Sequence, residues 1–246
     1  MITGIYEGGL GNLMFQVAAG VCLACDNNDE YKINANRHLG MGQGKHISNY
    51  INNIFSKIEK TNFISTNIFE HMSNQYNQIT YNPDICLRGY FQNFNYIKKH
   101  QNLLKEIFHF NYIDFNKTKE KKILSIHIRT GDYAQHSHFN ILNKLYYENC
   151  LNKINTDEYE IYLISDHPQQ AQKIIPDIPY KIFHKSELAD MFLLSKSDVC
   201  IISNSSFAWW GSFLGEKKIT YAPYIWNTNI VEFEDIYNDE MIKVNF

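Results

Sequence analysis

From residue 123 onward, short apolar runs alternate with helix-length segments, and this alternation limits the available folds more than any other feature. Strand-like runs fall at Ile123–Arg129, Glu160–Ser165, Tyr180–Phe183, Asp198–Ile202 and Lys218–Tyr221. Helices are expected near Leu142–Ile154, Pro168–Ile174, Glu187–Lys196 and Ser205–Leu214. Strands separated by helices imply a parallel sheet covered on both faces. The first half carries the same signals less cleanly. Ile2–Glu7, Glu30–Asn34 and Cys86–Phe91 read as strands, and about Asn12–Cys25 as a helix. Ile47, Tyr50, Ile51, Ile54, Phe55 and Ile58 recur at helical period, and Phe94–Phe110 sets Ile97, Leu104, Ile107 and Phe108 on one face. The polar segment Asn111–Lys122, with Lys117, Lys119, Lys121 and Lys122, is the candidate linker. A chain of 246 residues suits one large domain or two small ones. The expectation is α/β, with two Rossmann-like domains over residues 1–115 and 116–246 facing a cleft.

Charge and cysteine usage narrow the function classes. A net charge of −3 gives no global pull toward nucleic acid or anionic membranes, so a polyanionic ligand must meet a local cluster of donors. No segment approaches the roughly 18 uninterrupted apolar residues of a membrane span. Met1-Ile2-Thr3-Gly4 runs into a strand-like segment without a basic or apolar leader, so a cytoplasmic location is expected. Cys22 and Cys25 form a C-x-x-C without a second pair, which favours core packing over zinc.

Three segments carry chemistry. In Gly8-Gly9-Leu10-Gly11-Asn12, glycines let the backbone turn sharply and approach a ligand at a helix start. It is not the G-x-G-x-x-G fingerprint, and a plain tight turn explains it equally well. In Ser125–Tyr133, strand alternation sets Leu124, Ile126 and Ile128 on one face and His127 and Arg129 on the other. Arg129 then emerges at the carboxyl end of a parallel strand, where α/β sheets place ligands. A pairing of Arg129 with Asp132 across the turn is the alternative. In Ile201–Gly211, Ser203, Asn204, Ser205 and Ser206 open a helix that can bind phosphate oxygens, with Trp209-Trp210 as a rigid apolar wall. The Asn204-Ser205-Ser206 sequon falls at a buried junction and is a poor glycosylation site. No D-x-D occurs, so a leaving diphosphate would be met by arginine, backbone dipoles and hydroxyls.

Together GGLGNLMFQ at 8–16, HIRTGDY at 127–133, LADMFLLS at 188–195 and SNSSFAWWG at 203–211 resemble the α-1,2-fucosyltransferase family, in its motif order. The resemblance implies a GT-B-like fold and an inverting, metal-independent transfer of L-fucose from GDP-fucose to a glycan hydroxyl, O2 of a terminal galactose. No cofactor beyond that donor is implied. The partners are the nucleotide-sugar donor and a glycan acceptor, with peripheral membrane contact if the acceptor is lipid-linked. By the same resemblance Arg129 holds the β-phosphate and stabilises departing GDP, and Asn12 sits beside the reacting centre. His127, Ser203, Asn204, Ser205, Ser206, Phe207, Gly9 and Gly11 line the donor site. Asp190 reads guanine, since one carboxylate accepts from both N1–H and the N2 amino group; without the resemblance it would pass for a surface carboxylate. No residue declares itself as general base: Asp132 and Glu7 are catalytic candidates on position only, and His127 is a further one. Leu13 replaces the family's Gln, and Thr130 replaces its second Arg, which removes a positive charge near the pyrophosphate. Two alternatives stand beside this: another nucleotide-sugar donor or linkage, and a nucleotide- or carbohydrate-binding protein without catalysis.

Overall fold

β1 (Thr3–Glu7) runs into the Gly8-Gly9 turn, and α1 (Leu10–Asp26) begins there rather than at Asn12. β2 (His38–Gly40), β3 (Asn67–Glu70), β4 (Ile85–Arg88) and α2 (Gln101–Ile107) follow. In this computed structural model, residues 1–40, 44–110, 121–131, 142–216, 219–227 and 230–245 are described. The expected linker therefore lies outside the described residues except for Lys121 and Lys122. The four strands make a parallel sheet in the order β2-β1-β4-β3. Glu30–Asn34 is not a full strand, since it contributes only the bridges Ile2 to Tyr31 and Ile33 to Lys60.

The apolar residues between Ile47 and Ile58 are all buried, as their period suggests, but the segment is not an α-helix. It is a 3₁₀ turn at Ile47–Asn49 followed by further turns, with Asn53 N–H bonding Tyr50 O and Ser56 N–H bonding Asn53 O, each at 3.0 Å. Asparagine side chains compete for the backbone here: Asn49 Nδ2 donates to His46 O and Asn53 Nδ2 to Asn49 O. Phe94–Phe110 likewise breaks into two 3₁₀ turns before α2, and Asn93 caps the first by accepting from Asn95 N–H.

The second half follows its pattern more closely. It contains β5 (Lys122–Ile128), α3 (Lys144–Leu151), β6 (Tyr159–Ser165), α4 (Pro168–Ala171) and β7 (Lys181–Ile182). Then come α5 (Glu187–Lys196), β8 (Val199–Ile201), α6 (Ser206–Phe213), β9 (Ile219–Pro223) and β10 (Met241–Val244). All six strands are parallel, in the order β10-β9-β8-β5-β6-β7. Counted from β5, this is the Rossmann order 3-2-1-4-5-6. The chain winds outward from β5 to β7, then returns to start β8 on the other side of β5. That reversal opens a crevice at the carboxyl ends of β5 and β8.

Leu124, Ile126 and Ile128 bury one face of β5 against Tyr146, Tyr147 and Cys150 of α3. Each aliphatic side chain so buried is worth about 1.5–3 kcal/mol. On the opposite face Ser125 Oγ meets Ser197 Oγ at 2.6 Å, and the His127 ring lies 5.8 Å from that of Phe207. Both faces are thus covered. The chain divides into two compact units, Met1–Asn111 with Val231–Asn238, and Tyr112–Ile230 with Asp239–Phe246. The return of Val231–Asn238 to the first unit leaves no mark in the sequence pattern. Among the described residues no helix is long and apolar enough to cross a membrane.

Candidate functional site

Where β5 ends, Arg129 follows directly, and the register that pairs Ile128 with Ser165 puts Asp166 beside it. Arg129 Nη1 lies 3.4 Å from Asp166 Oδ2, and Asp166 Oδ1 accepts the Thr130 N–H at 3.1 Å. Burial pushes the Asp166 carboxyl up, but Arg129, the Thr130 N–H, His127 and His167 outweigh it and hold the group below the usual carboxylate range. The Thr130 side chain is itself buried, its Oγ1 without a hydrogen-bond partner among the described residues. Asp132, the alternative partner of Arg129, lies outside the described residues; among the described residues Arg129 pairs with Asp166, just past the end of β6.

His127 is buried under α6, its Nδ1 2.8 Å from Ser203 Oγ. Burial lowers its pKa to about 4, with Asp166 raising it and Arg129 lowering it. The ring is neutral at pH 7 and is committed to Ser203, so it fits a scaffold for the crevice better than a general base.

The polar run after β8 divides by role. Ser203 holds His127, and Asn204 Nδ2 donates to Trp226 O at 3.0 Å, so these two brace the loop. Ser205 occupies the N-cap of α6 yet makes no side-chain cap bond, which differs from the capping role its type suggests. Ser206 and Phe207 are half-buried in the first turn, where backbone N–H groups have no partner inside the helix. The double tryptophan does not form a site wall. Trp209 and Trp210 are fully buried, and Trp209 stacks on Phe213 with ring centroids 4.9 Å apart.

Asp190 stands in the first turn of α5, which Ser186 caps by accepting from Ala189 N–H at 3.3 Å. Its carboxylate is only 7 % exposed and accepts the Lys185 N–H at 3.0 Å. Burial raises its pKa to about 6, against the Lys185 N–H and His184, which lower it. A carboxylate desolvated this far, with one strong partner, marks a functional position more often than a surface one.

In the first unit, Gly8 adopts φ +85°, and a Cβ there would collide with Asn12 Nδ2. Gly9 is the N-cap of α1, and Gly11 lies buried in its first turn. Asn12 Oδ1 accepts from Gln92 Nε2 at 2.7 Å. Gln16 brackets the end of β1, its Oε1 accepting Glu7 N–H and its Nε2 donating to Glu7 O. The Glu7 carboxylate faces Arg88 Nε at 3.5 Å. Gly8→Ala is expected to cost about 1–2 kcal/mol of stability through left-handed backbone strain, read by urea denaturation. An unchanged midpoint would show the turn to be relaxed.

Asp166 and Gln92, which contact the predicted residues Arg129 and Asn12, were not legible in the sequence, because neither sits in a motif; only the tertiary fold brings them in. Cys22 is buried in the core of the first unit, but Cys25 is exposed, so the shared-core expectation holds for one of the two.

Relatives and solved structures bear on this arrangement. The O-antigen biosynthesis glycosyltransferase WbnK of Escherichia coli is 28 % identical, over 89 % of this chain and 93 % of its own. An α-1,2-colitosyltransferase of Escherichia coli is 25 % identical, over 89 % of this chain and 90 % of its own. A mutant of Arabidopsis thaliana FUT1 in complex with GDP shares the fold, with a TM-score of 0.52 at 12 % identity over 90 % of this chain and 69 % of that one. The model of the family described as Glycosyl transferase family 11 matches residues 1–245. Motifs, fold and relatives agree along the length of the sequence, and the chain belongs to glycosyl transferase family 11.

Proposed function

We propose that the protein transfers L-fucose from GDP-fucose to a glycan hydroxyl with inversion, O2 of a terminal galactose being the favoured position. The observation that carries this is the convergence of Arg129 and the α6 start on the carboxyl ends of β5 and β8. As the glycosidic bond breaks, charge grows on the leaving diphosphate. A planar guanidinium can bridge two of its oxygens, and the α6 N–H groups with Ser205 and Ser206 add dipoles already in place. Asp190 accepts from guanine, which no adenine or uracil edge can match with the same pair of donors. Ser203, Asn204, Phe207 and His127 shape the donor pocket from behind.

The first unit is the acceptor side in this proposal, with Gly9 and Gly11 allowing close approach and Asn12 beside the reacting centre. Asp132 is the candidate for the acceptor proton, although a cation-like transition state of a deoxy sugar needs little base help. The protein would work in the cytoplasm, touching a membrane only through a lipid-linked acceptor.

A second donor is favoured by the α-1,2-colitosyltransferase relative. Colitose is the 3-deoxy analogue of L-fucose, so the same diphosphate and guanine contacts would serve it. The decisive experiment compares melting with GDP and with UDP, then transfer from GDP-fucose and GDP-colitose to galactose-terminated glycans. GDP should stabilise and UDP should not, fucose should be transferred, and EDTA should leave the rate unchanged. Equal stabilisation by UDP would remove Asp190 from the base. Strict dependence on Mg²⁺ or Mn²⁺ would overturn the role given to Arg129, and preference for GDP-colitose would replace the donor.

A further inference from the structure

One carboxylate meets both halves of the Arg129-Thr130 step, Thr130 by a hydrogen bond and Arg129 by an ion pair without hydrogen-bond geometry. Asp166 Oδ1 takes the backbone N–H of Thr130 at 3.1 Å, and Oδ2 lies 3.4 Å from Arg129 Nη1. Asp166 is held in turn: Ser165 Oγ lies 3.3 Å from Oδ1, His167 Nδ1 3.3 Å from Oδ2, and Ser165 Oγ also accepts the His167 N–H at 3.1 Å. The neighbouring glycine completes the fit, since a Cβ on Gly131 would collide with Asp166 Oδ2 and the His167 ring. Such a carboxylate lowers the net positive field at the strand end, which is a cost if the only purpose is to attract a diphosphate. It is useful if the purpose is orientation, because a long side chain left to rotate must be ordered again in each turnover.

We propose that Asp166 is the positioning residue for Arg129, tying one edge of the guanidinium to the end of β6 so that its remaining N–H donors hold one direction. This rests on the role of Arg129 toward the diphosphate given above. The competing explanation is a cross-strand ion pair that only adds stability. Pairs of that kind change melting but not the rate through a particular side chain.

A double-mutant cycle separates the two. Asp166→Asn keeps an oxygen for the Thr130 N–H but turns an amide donor toward Arg129 Nη1. In the folded variant, kcat for GDP-fucose turnover should fall roughly 10–100-fold, the scale of misplacing a reacting group by about 1 Å, and stabilisation by inorganic pyrophosphate should weaken with it. Combined with Arg129→Lys, the loss should be no greater than with Arg129→Lys alone. Should Asp166→Asn not fold, Asp166→Ser enters the same cycle. The cycle is also read as stabilisation by inorganic pyrophosphate, which requires no nucleoside. A wild type that responds to pyrophosphate but not to GDP-fucose would lose the proposed donor, and the pyrophosphate cycle would still decide Asp166. An unchanged kcat, or losses that multiply in the double variant, would overturn the positioning role. A wild type indifferent to pyrophosphate would overturn it together with the role of Arg129.

Discussion

Arg129→Ala is expected to lower kcat by roughly 10²–10³ or more, the scale of losing one preorganised donor that meets developing charge. The side chain leaves β5 at its carboxyl end, in the crevice made where the strand order reverses between β5 and β8. Arg129→Lys should recover little, because a point charge cannot reproduce a two-pronged contact. The same substitution removes the cation beside Asp166, whose folded pKa is depressed. A depressed carboxyl contributes stability that is present above its unfolded value and lost as pH falls through the folded one. Arg129→Ala should therefore melt earlier at neutral pH and differ less in acid. Circular dichroism must show a folded variant for the rate to count. A folded Arg129→Ala with near-normal kcat would leave Arg129 as a structural partner of Asp166 and end the mechanism.

The second large effect has opposite signs in two measurements. Asp190→Asn should weaken GDP binding by ~1–3 kcal/mol while leaving inorganic pyrophosphate almost unaffected, since the amide sets a donor against a guanine donor. Without ligand, the same variant should be more stable than wild type above about pH 6. Burial raises the folded pKa to about 6, while the unfolded value is about 3.9. The folded state therefore holds the proton more tightly. The charged form costs stability that is absent below the unfolded pKa and grows until the pH passes the folded one. The gain for Asn should reach ~1–3 kcal/mol at pH 8 and vanish near pH 4. Wild-type affinity for GDP should fall as the pH drops through 6, and the variant should lose that dependence. A residue that destabilises its own fold is best explained by what it binds. Equal losses for GDP and pyrophosphate, or no gain in stability, would place Asp190 away from the base.

Much of this was legible in the sequence for a local reason. Strand and helix periods are set within a few residues, so the βα alternation after residue 123 and the parallel sheet follow from it directly, and α5 matches its expected span Glu187–Lys196 because Ser186 caps it. The motifs at 8–16, 127–133 and 203–211 likewise announced a family by residue type and order. What local pattern could not decide was which side chains meet. The fully buried Trp209 and Trp210 belong to the core, not to a site wall, because α6 packs that face inward. His127 is neutral because a sheet and a helix exclude water from it. The apolar period from Ile47 to Ile58 survived as burial but not as α-helix, since asparagine side chains bonded the backbone instead. Asp166 is the clearest case. It stands 36 residues from Thr130, to whose N–H it bonds, in a segment with no motif of its own. It reaches Arg129 because the β5–β6 register, a long-range pairing set by burial of both sheet faces, leaves the two residues side by side where their strands end.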